Sequence, residues 1–190
     1  MDVLDAIRTR RSYGRLTDPA PTDEHLQQIL EAGAFAPDHG ELRPFRFTLL
    51  RGAGLVAFGE VLEEAYFRRS TDSGKAPVPA KAQKERTKLT RAPLVLVVSA
   101  MRQPNEKIPW IDQRDAAVAA AQNILLAAHA LGYGAMWRTG DPCSDEYVMK
   151  ALGLTRDDAI VGFLYLGTPY ELKEPKESNL DGLVSEFGVS

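Results

Sequence analysis

The chain has 190 residues but only one cysteine, Cys143, and three histidines, His25, His39 and His129. One cysteine cannot close an internal disulfide, which excludes a stapled secreted scaffold. So few scattered imidazoles and thiols leave little material for a zinc site. Cys143 follows Pro142 with no base near it in sequence, which fits a structural thiol better than a nucleophile. An excess of positive charge is also missing. Lys and Arg number 23 against 26 Asp and Glu, a net charge of −3 and a pI of about 5.7. That balance argues against binding nucleic acid through bulk charge. The opening residues carry Asp2 and Asp5 and no long apolar run, unlike a signal peptide or lipidation motif. The most apolar stretch, residues 116–136, contains Gln122, Asn123 and His129, which suits a buried helix better than a membrane span. No GxGxxG and no P-loop occurs. These features together predict a cytoplasmic protein with no nucleic-acid or membrane partner.

Hydrophobic residues make up 44% of the chain and charged residues 26%, enough to fold one domain over residues 1–190. Val3, Leu4 and Ile7 begin a short helix that runs into the basic cluster Arg8–Arg15. Thr22 is placed to cap a second helix, with Asp23 and Glu24 in its first turn and Gly33 at its C-terminus. Phe45, Phe47 and Leu49 alternate as in a strand, and Leu55, Phe58, Leu62 and Ala65 recur at helical spacing. Residues 68–91 are polar, with Gly74, Pro77, Pro79 and several lysines, and read as a surface excursion that could serve as a lid. Leu94–Val98 and Ile160–Leu166 are continuous apolar runs, hence buried strands. Asp112–Leu131 forms a long Ala-rich helix closed by Gly132, apolar enough to be buried all round, in a core or across a subunit contact. Ala135–Arg138 fits a short strand, and Ser144 a helix cap. Residues 168–190 have too few apolar side chains to fold alone and are expected to pack on another surface, of this chain or of a partner subunit.

Three segments could carry chemistry. Arg10, Arg11, Ser12 and Arg15 offer guanidinium forks and a hydroxyl to a phosphate, or simply complete a basic helix end. The polar loop around His39 either binds a ligand or is an ordinary turn. Gly132–Gly140, with Trp137, Arg138 and Thr139, permits close backbone approach and anion contacts, or is a helix stop followed by a structural Trp.

Taken in order, these segments resemble the FMN-dependent nitroreductase family. The resemblance rests on Arg10-Arg11-Ser12 after a short helix and on Pro21-Thr22 opening a helix that ends at Glu31-Ala32-Gly33. It continues through Ala36-Pro37, Arg43-Pro44-Phe45-Arg46-Phe47 and the Ala-rich helix running into Gly132-Tyr133-Gly134 and Trp137. It closes on Gly162-Phe163-Leu164-Tyr165-Leu166-Gly167-Thr168-Pro169.

The resemblance implies an α+β fold with a central mixed sheet flanked by helices, and a homodimer with flavin sites at its interface. It assigns Arg10 and Ser12 to the FMN phosphate or ribityl chain, with Arg11 beside them. Phe35 and His39 would reach the flavin held mainly by the other subunit, and Trp137, Arg138 and Thr139 would line it from the strand side. It implies ping-pong hydride transfer from NAD(P)H through the flavin to a small nitroaromatic, quinone or similar electron-poor acceptor. The alternative is a non-catalytic FMN carrier or sensor.

The chain departs from the family pattern in three places. Gly14 stands where many relatives carry a Lys or Arg near the flavin pyrimidine edge. Glu41 and Arg43 replace loop Asn and Gln residues. Lys176 is followed by Glu177 and Ser178 instead of completing a basic Lys-x-Arg. Arg138 is the residue expected to replace the missing phosphate charge.

Overall fold

The computed structural model describes residues 1–188. Its centre is β3 (Leu94–Ala100), every residue of which is buried. The continuous apolar sequence of β3 has this cause, since helices cover the sheet on both faces. β3 pairs antiparallel with β2 (Phe45–Arg51) on one side and with β5 (Ala159–Pro169) on the other. β5 also pairs antiparallel with β4 (Gly134–Arg138) and, at its far end, with the two-residue β1 (Leu16–Thr17). The four ladders are antiparallel, and the parallel component of the sheet is a single bridge between Ser12 and Ala135.

One face of the sheet carries Leu94, Leu96, Val98, Leu164 and Leu166 against α2 (Asp23–Ala34) and α5 (Trp110–Ala130). The other carries Val95, Val97, Phe163 and Tyr165 against α3 (Ala53–Asp72) and α6 (Glu146–Ala151). The period-two alternation of β3 and β5 sorts these side chains to the two cores. α1 (Val3–Thr9) lies at the end of α5, and α4 (Pro79–Thr87) lies on α3.

Several local expectations are revised. Thr22 does cap α2, its hydroxyl accepting from the His25 N–H at 3.2 Å. Gly33, however, is inside α2 and does not end it. A Cβ there would lie 2.8 Å from Ile124 and 2.9 Å from the Phe47 ring, so this glycine lets α2 approach α5 and the sheet. Residues 68–91 are not a structureless lid. α3 continues to Asp72, α4 follows, and Arg86 pairs with Glu60 and Glu63 of α3. The polar composition that suggested a loop belongs to the outer faces of packed helices. α6 is capped by Asp145, not Ser144: its carboxylate accepts from the Tyr147 and Val148 N–H groups. α5 is not covered all round within one chain, since Ile111, Arg114, Asp115 and Gln122 are exposed along one side. Residues 170–188 have exposed side chains throughout, including Leu172, Leu183 and Phe187.

Candidate functional site

Arg10–Gly14 forms the extended link between α1 and β1. Its position is fixed by the Ser12–Ala135 bridge and by the Tyr13 N–H donating to the Ala135 carbonyl at 3.1 Å. This bridge brings two segments far apart in sequence, Arg10–Gly14 and Met136–Arg138, side by side. Gly14 lies beside Arg138 and Met136. A Cβ built on it would lie 3.9 Å from Arg138 Nη2 and 4.0 Å from Met136 Sδ. The Arg138 guanidinium sits 5.7 Å from the centroid of the Tyr165 ring. Burial pushes the Tyr165 phenol up to about 12, against the opposing pull of the Arg138 and Arg91 charges, so it stays protonated at neutral pH.

The site residues expected from the sequence separate into two groups. Arg10, Ser12, Trp137, Arg138 and Thr139 flank the bridge, with Ser12 and Thr139 exposed and the other three half-buried. Trp137 is held by its ring N–H, which donates to the Val161 carbonyl at 3.2 Å. Its indole crosses Gly162, where a Cβ would lie 2.1 Å from Nε1.

Arg11 is at the same place but otherwise engaged. It donates to the carbonyls of Arg8 and Arg10 and, across the chain, to those of Glu174 and Lys176. In this conformation it clasps the C-terminal segment, whose Lys173 ammonium reaches back to donate to the Ser12 carbonyl at 2.6 Å. The segment thus meets the site through the Glu174 and Lys176 carbonyls and the Lys173 side chain.

Phe35 and His39 form the second group. Phe35 ends α2 and is 83% exposed. His39 begins a 3-10 turn, and its Nδ1 lies 3.4 Å from the Asp112 carboxylate in the first turn of α5. This loop is tightly determined. Gly40, Glu41 and Arg43 all have positive φ, and the Arg43 N–H donates to the Asp38 carboxylate. The left-handed conformation costs a non-glycine residue about 1–2 kcal/mol. Two such residues in one loop mark a shape imposed by its surroundings. One constraint is Ile108, whose Cδ1 would be 2.5 Å from a Cβ on Gly40.

His39 and α1 meet α5 at opposite ends: His39 meets Asp112 at its start, whereas Thr9 of α1 meets His129 near its end. At 1.5 Å rise per residue these two contacts are roughly 26 Å apart along the helix. Phe35 follows the part of α2 that packs on Asn123 and Ile124, in the second half of α5.

His129 was not assigned a role from sequence, yet it adjoins the first group. The Thr9 hydroxyl donates to the Asp5 carbonyl at 2.6 Å, so toward His129 it can only accept. The His129 Nε2–H therefore donates to it, at 2.8 Å. Burial, with repulsion from Arg10 and Arg11, holds the His129 pKa below its ordinary value. The signal for this contact is non-local and has no counterpart in the linear sequence. Cys143 is inert by comparison, its thiol pushed up to about 11 chiefly by burial.

The sequence pattern of the nitroreductase family matches residues 7–168. The chain belongs to the nitroreductase family. As a nitroreductase family member it falls within a class of flavin oxidoreductase enzymes. It is 41% identical over 180 residues to an Escherichia coli K12 protein named "Putative NAD(P)H nitroreductase YdjA", covering 95% of this chain and 94% of that one. It is 33% identical over 175 residues to a Haemophilus influenzae protein named "Putative NAD(P)H nitroreductase", covering 92% of each. A nitroreductase-like protein from Bacillus cereus shares the fold, with a TM-score of 0.80 and 22% identity over 100% of this chain and 97% of the other. A "putative nitroreductase" from Desulfovibrio desulfuricans, solved in complex with FMN, superposes with a TM-score of 0.73 and 29% identity over 100% of this chain and 99% of that one. Among the described residues, no helix is long and apolar enough to cross a membrane. No group of three or more His, Cys, Asp or Glu side chains among them is arranged to hold a metal.

Proposed function

We propose that this nitroreductase family chain is a cytoplasmic, homodimeric, FMN-dependent NAD(P)H oxidoreductase that reduces nitroaromatics, quinones or similar electron-poor small molecules. The observation that carries the reading is the donor cluster assembled at the Ser12–Ala135 bridge, Arg10, Ser12 and Arg138. Phe35 and His39, on the exposed loop after α2, are read as the contribution of a second chain to that site.

The donor set fits FMN. A phosphate monoester carries about −1.5 to −2 charge at neutral pH. Arg10, Ser12 and Arg138 offer charge-assisted donors, and among the described residues neither arginine has a carboxylate within 4.0 Å. Arg11 joins them if the C-terminal segment releases it. Gly14 leaves room for a flat ring to approach the backbone, and Trp137 and Thr139 continue that wall. Phe35 and His39 of the second copy complete it.

The flavin supplies the hydride chemistry when bound, so no protein nucleophile is required. The protein's work is to bind the cofactor, keep one face accessible and offer donors where negative charge grows on reduction. A single open face serves donor and acceptor in turn, which is the basis of ping-pong kinetics.

Subunit contact also suits the apolar surface. Val3, Leu4 and Ile7 are each more than half exposed and adjoin on the short helix α1. An apolar helix face of this kind marks an interaction surface.

An absorption spectrum of the purified protein, followed by anaerobic mixing with NADH or NADPH, tests the reading. A flavin spectrum that bleaches with a nicotinamide and recovers with a quinone supports it. A bound flavin that neither nicotinamide bleaches identifies a carrier, and a protein that takes up no FMN refutes the reading altogether.

A further inference from the structure

A cavity of about 720 Å³ opens beside Gly14, its polar wall built by Arg15, Thr17, Asp18, Thr90 and Arg91. Three elements converge there: β1, the turn preceding β3, and Leu55 from the first turn of α3. Arg15 is held from behind, with its guanidinium 4.1 Å from the centroid of the Tyr170 ring. Arg91 ends the 3-10 turn Lys88–Arg91, and its charge acts on the same buried Tyr165 phenol as that of Arg138.

Seven other arginines, including Arg51, Arg69 and Arg86, lie within 4.0 Å of a carboxylate. Among the described residues Arg15 and Arg91 do not, although Asp18 is on the same wall. Both threonine hydroxyls on the wall already donate to backbone, Thr17 to the Thr168 carbonyl and Thr90 to that of Thr87. The uncommitted strong donors of the cavity are therefore its two guanidiniums. Like charges gathered in a concave site with apolar walls, here Leu16, Ala92 and Pro93, concentrate a positive potential.

We propose that this cavity is an oxyanion site in which Arg15 and Arg91 anchor the phosphate or carboxylate of a molecule that exchanges electrons at the flavin. The inference rests on the proposed function, because Gly14 and Arg138 join the cavity to the flavin site. It adds a substrate class: redox partners that carry an anionic group some distance from their reacting ring. The phosphates of the nicotinamide dinucleotide and the carboxylate of an acidic aromatic acceptor share this chemistry.

Calorimetric titration of FMN-loaded protein with inorganic pyrophosphate and with 4-nitrobenzoate tests it, with nitrobenzene as the neutral comparison. Saturable binding of at least one anion is expected. It should weaken about ten-fold in Arg15→Ala and in Arg91→Ala, the loss expected for one charge-assisted hydrogen bond. Nitrobenzene binding should be unchanged. Loss of pyrophosphate binding identifies the dinucleotide as the source, and loss of 4-nitrobenzoate binding identifies the acceptor. In steady state the same variants should raise KM for the anionic substrate and leave kcat alone.

Failure of both anions to bind overturns the proposal. Binding lost in Arg10→Ala but retained in Arg91→Ala also overturns it, because the anion is then at the flavin phosphate position. If the protein holds no FMN the proposed function fails, while the same titrations on the colourless protein still decide the oxyanion site.

Discussion

The Arg138 guanidinium stands beside Gly14, with Nη2 3.9 Å from where a Cβ at that glycine would lie. The contact distance is ordinary, so an alanine fits without displacing the arginine. Gly14 also lacks the positive φ that would strain a side chain. Gly14→Ala is therefore expected to change unfolding free energy by less than about 0.5 kcal/mol, as for a benign surface change. Arg138→Ala, by contrast, should weaken FMN binding about ten-fold, or ~1.4 kcal/mol. A denaturant melt checks the first variant, and quenching of flavin fluorescence on titration checks the second. Unchanged affinity in Arg138→Ala would remove this residue from the site.

A second prediction concerns Trp137 and Gly162. A Cβ at residue 162 would lie 2.1 Å from the indole nitrogen, which also donates to the Val161 carbonyl. Gly162→Ala must displace the ring and break that bond. The expected loss is about 1–3 kcal/mol from overpacking, with tryptophan emission shifted to longer wavelength as the indole is exposed. Thermal melts and emission spectra of the flavin-free protein measure the two effects.

Much of this arrangement was legible in the linear sequence. β3 and β5 announced themselves as continuous apolar runs because both faces are covered, and Thr22 was readable as a cap because capping is local. Arg10, Ser12, Trp137 and Arg138 were nominated by family resemblance. Their adjacency depends on the Ser12–Ala135 bridge, which spans more than half the chain and leaves no local trace. The same holds for Gly33 and Gly162, whose reasons are Ile124 and Trp137. Residues 68–91 misled because polar helices packed by one face resemble a loop in composition. Ser144 misled because Asp145, one residue later, is an equally good cap.

The third prediction is a pH dependence. His129 has a pKa below its ordinary value when folded, for reasons of burial and of repulsion from Arg10 and Arg11. The unfolded chain therefore binds the His129 proton more readily than the folded one. Stability is retained above the unfolded value near 6.5 and falls as pH drops through it. Melts between pH 8 and pH 5 should show a decline that His129→Gln reduces. A bound phosphate dianion would offset the two arginines, so added FMN should also flatten the decline. A slope unaffected by His129→Gln would contradict this assignment.

A fourth prediction tests the tether between α3 and α6. The Asp145 carboxylate, 5% exposed, caps α6 and pairs with Arg69. Asp145→Ala removes the cap, worth about 1 kcal/mol, and leaves the half-buried Arg69 guanidinium with only the exposed Asp141 carboxylate, 4.0 Å away. The total loss should be about 3 kcal/mol or more. Asp145→Asn keeps the capping oxygen and should lose less. Denaturant midpoints compare the two directly.

The central claim is that residues from two chains hold one flavin. Native mass spectrometry of the protein incubated with FMN tests it most directly. The account predicts a particle of two chains with two FMN molecules, and loss of FMN when either Arg10 or the Phe35–His39 loop is altered. A single chain that retains FMN, or a dimer that takes up none, would contradict it.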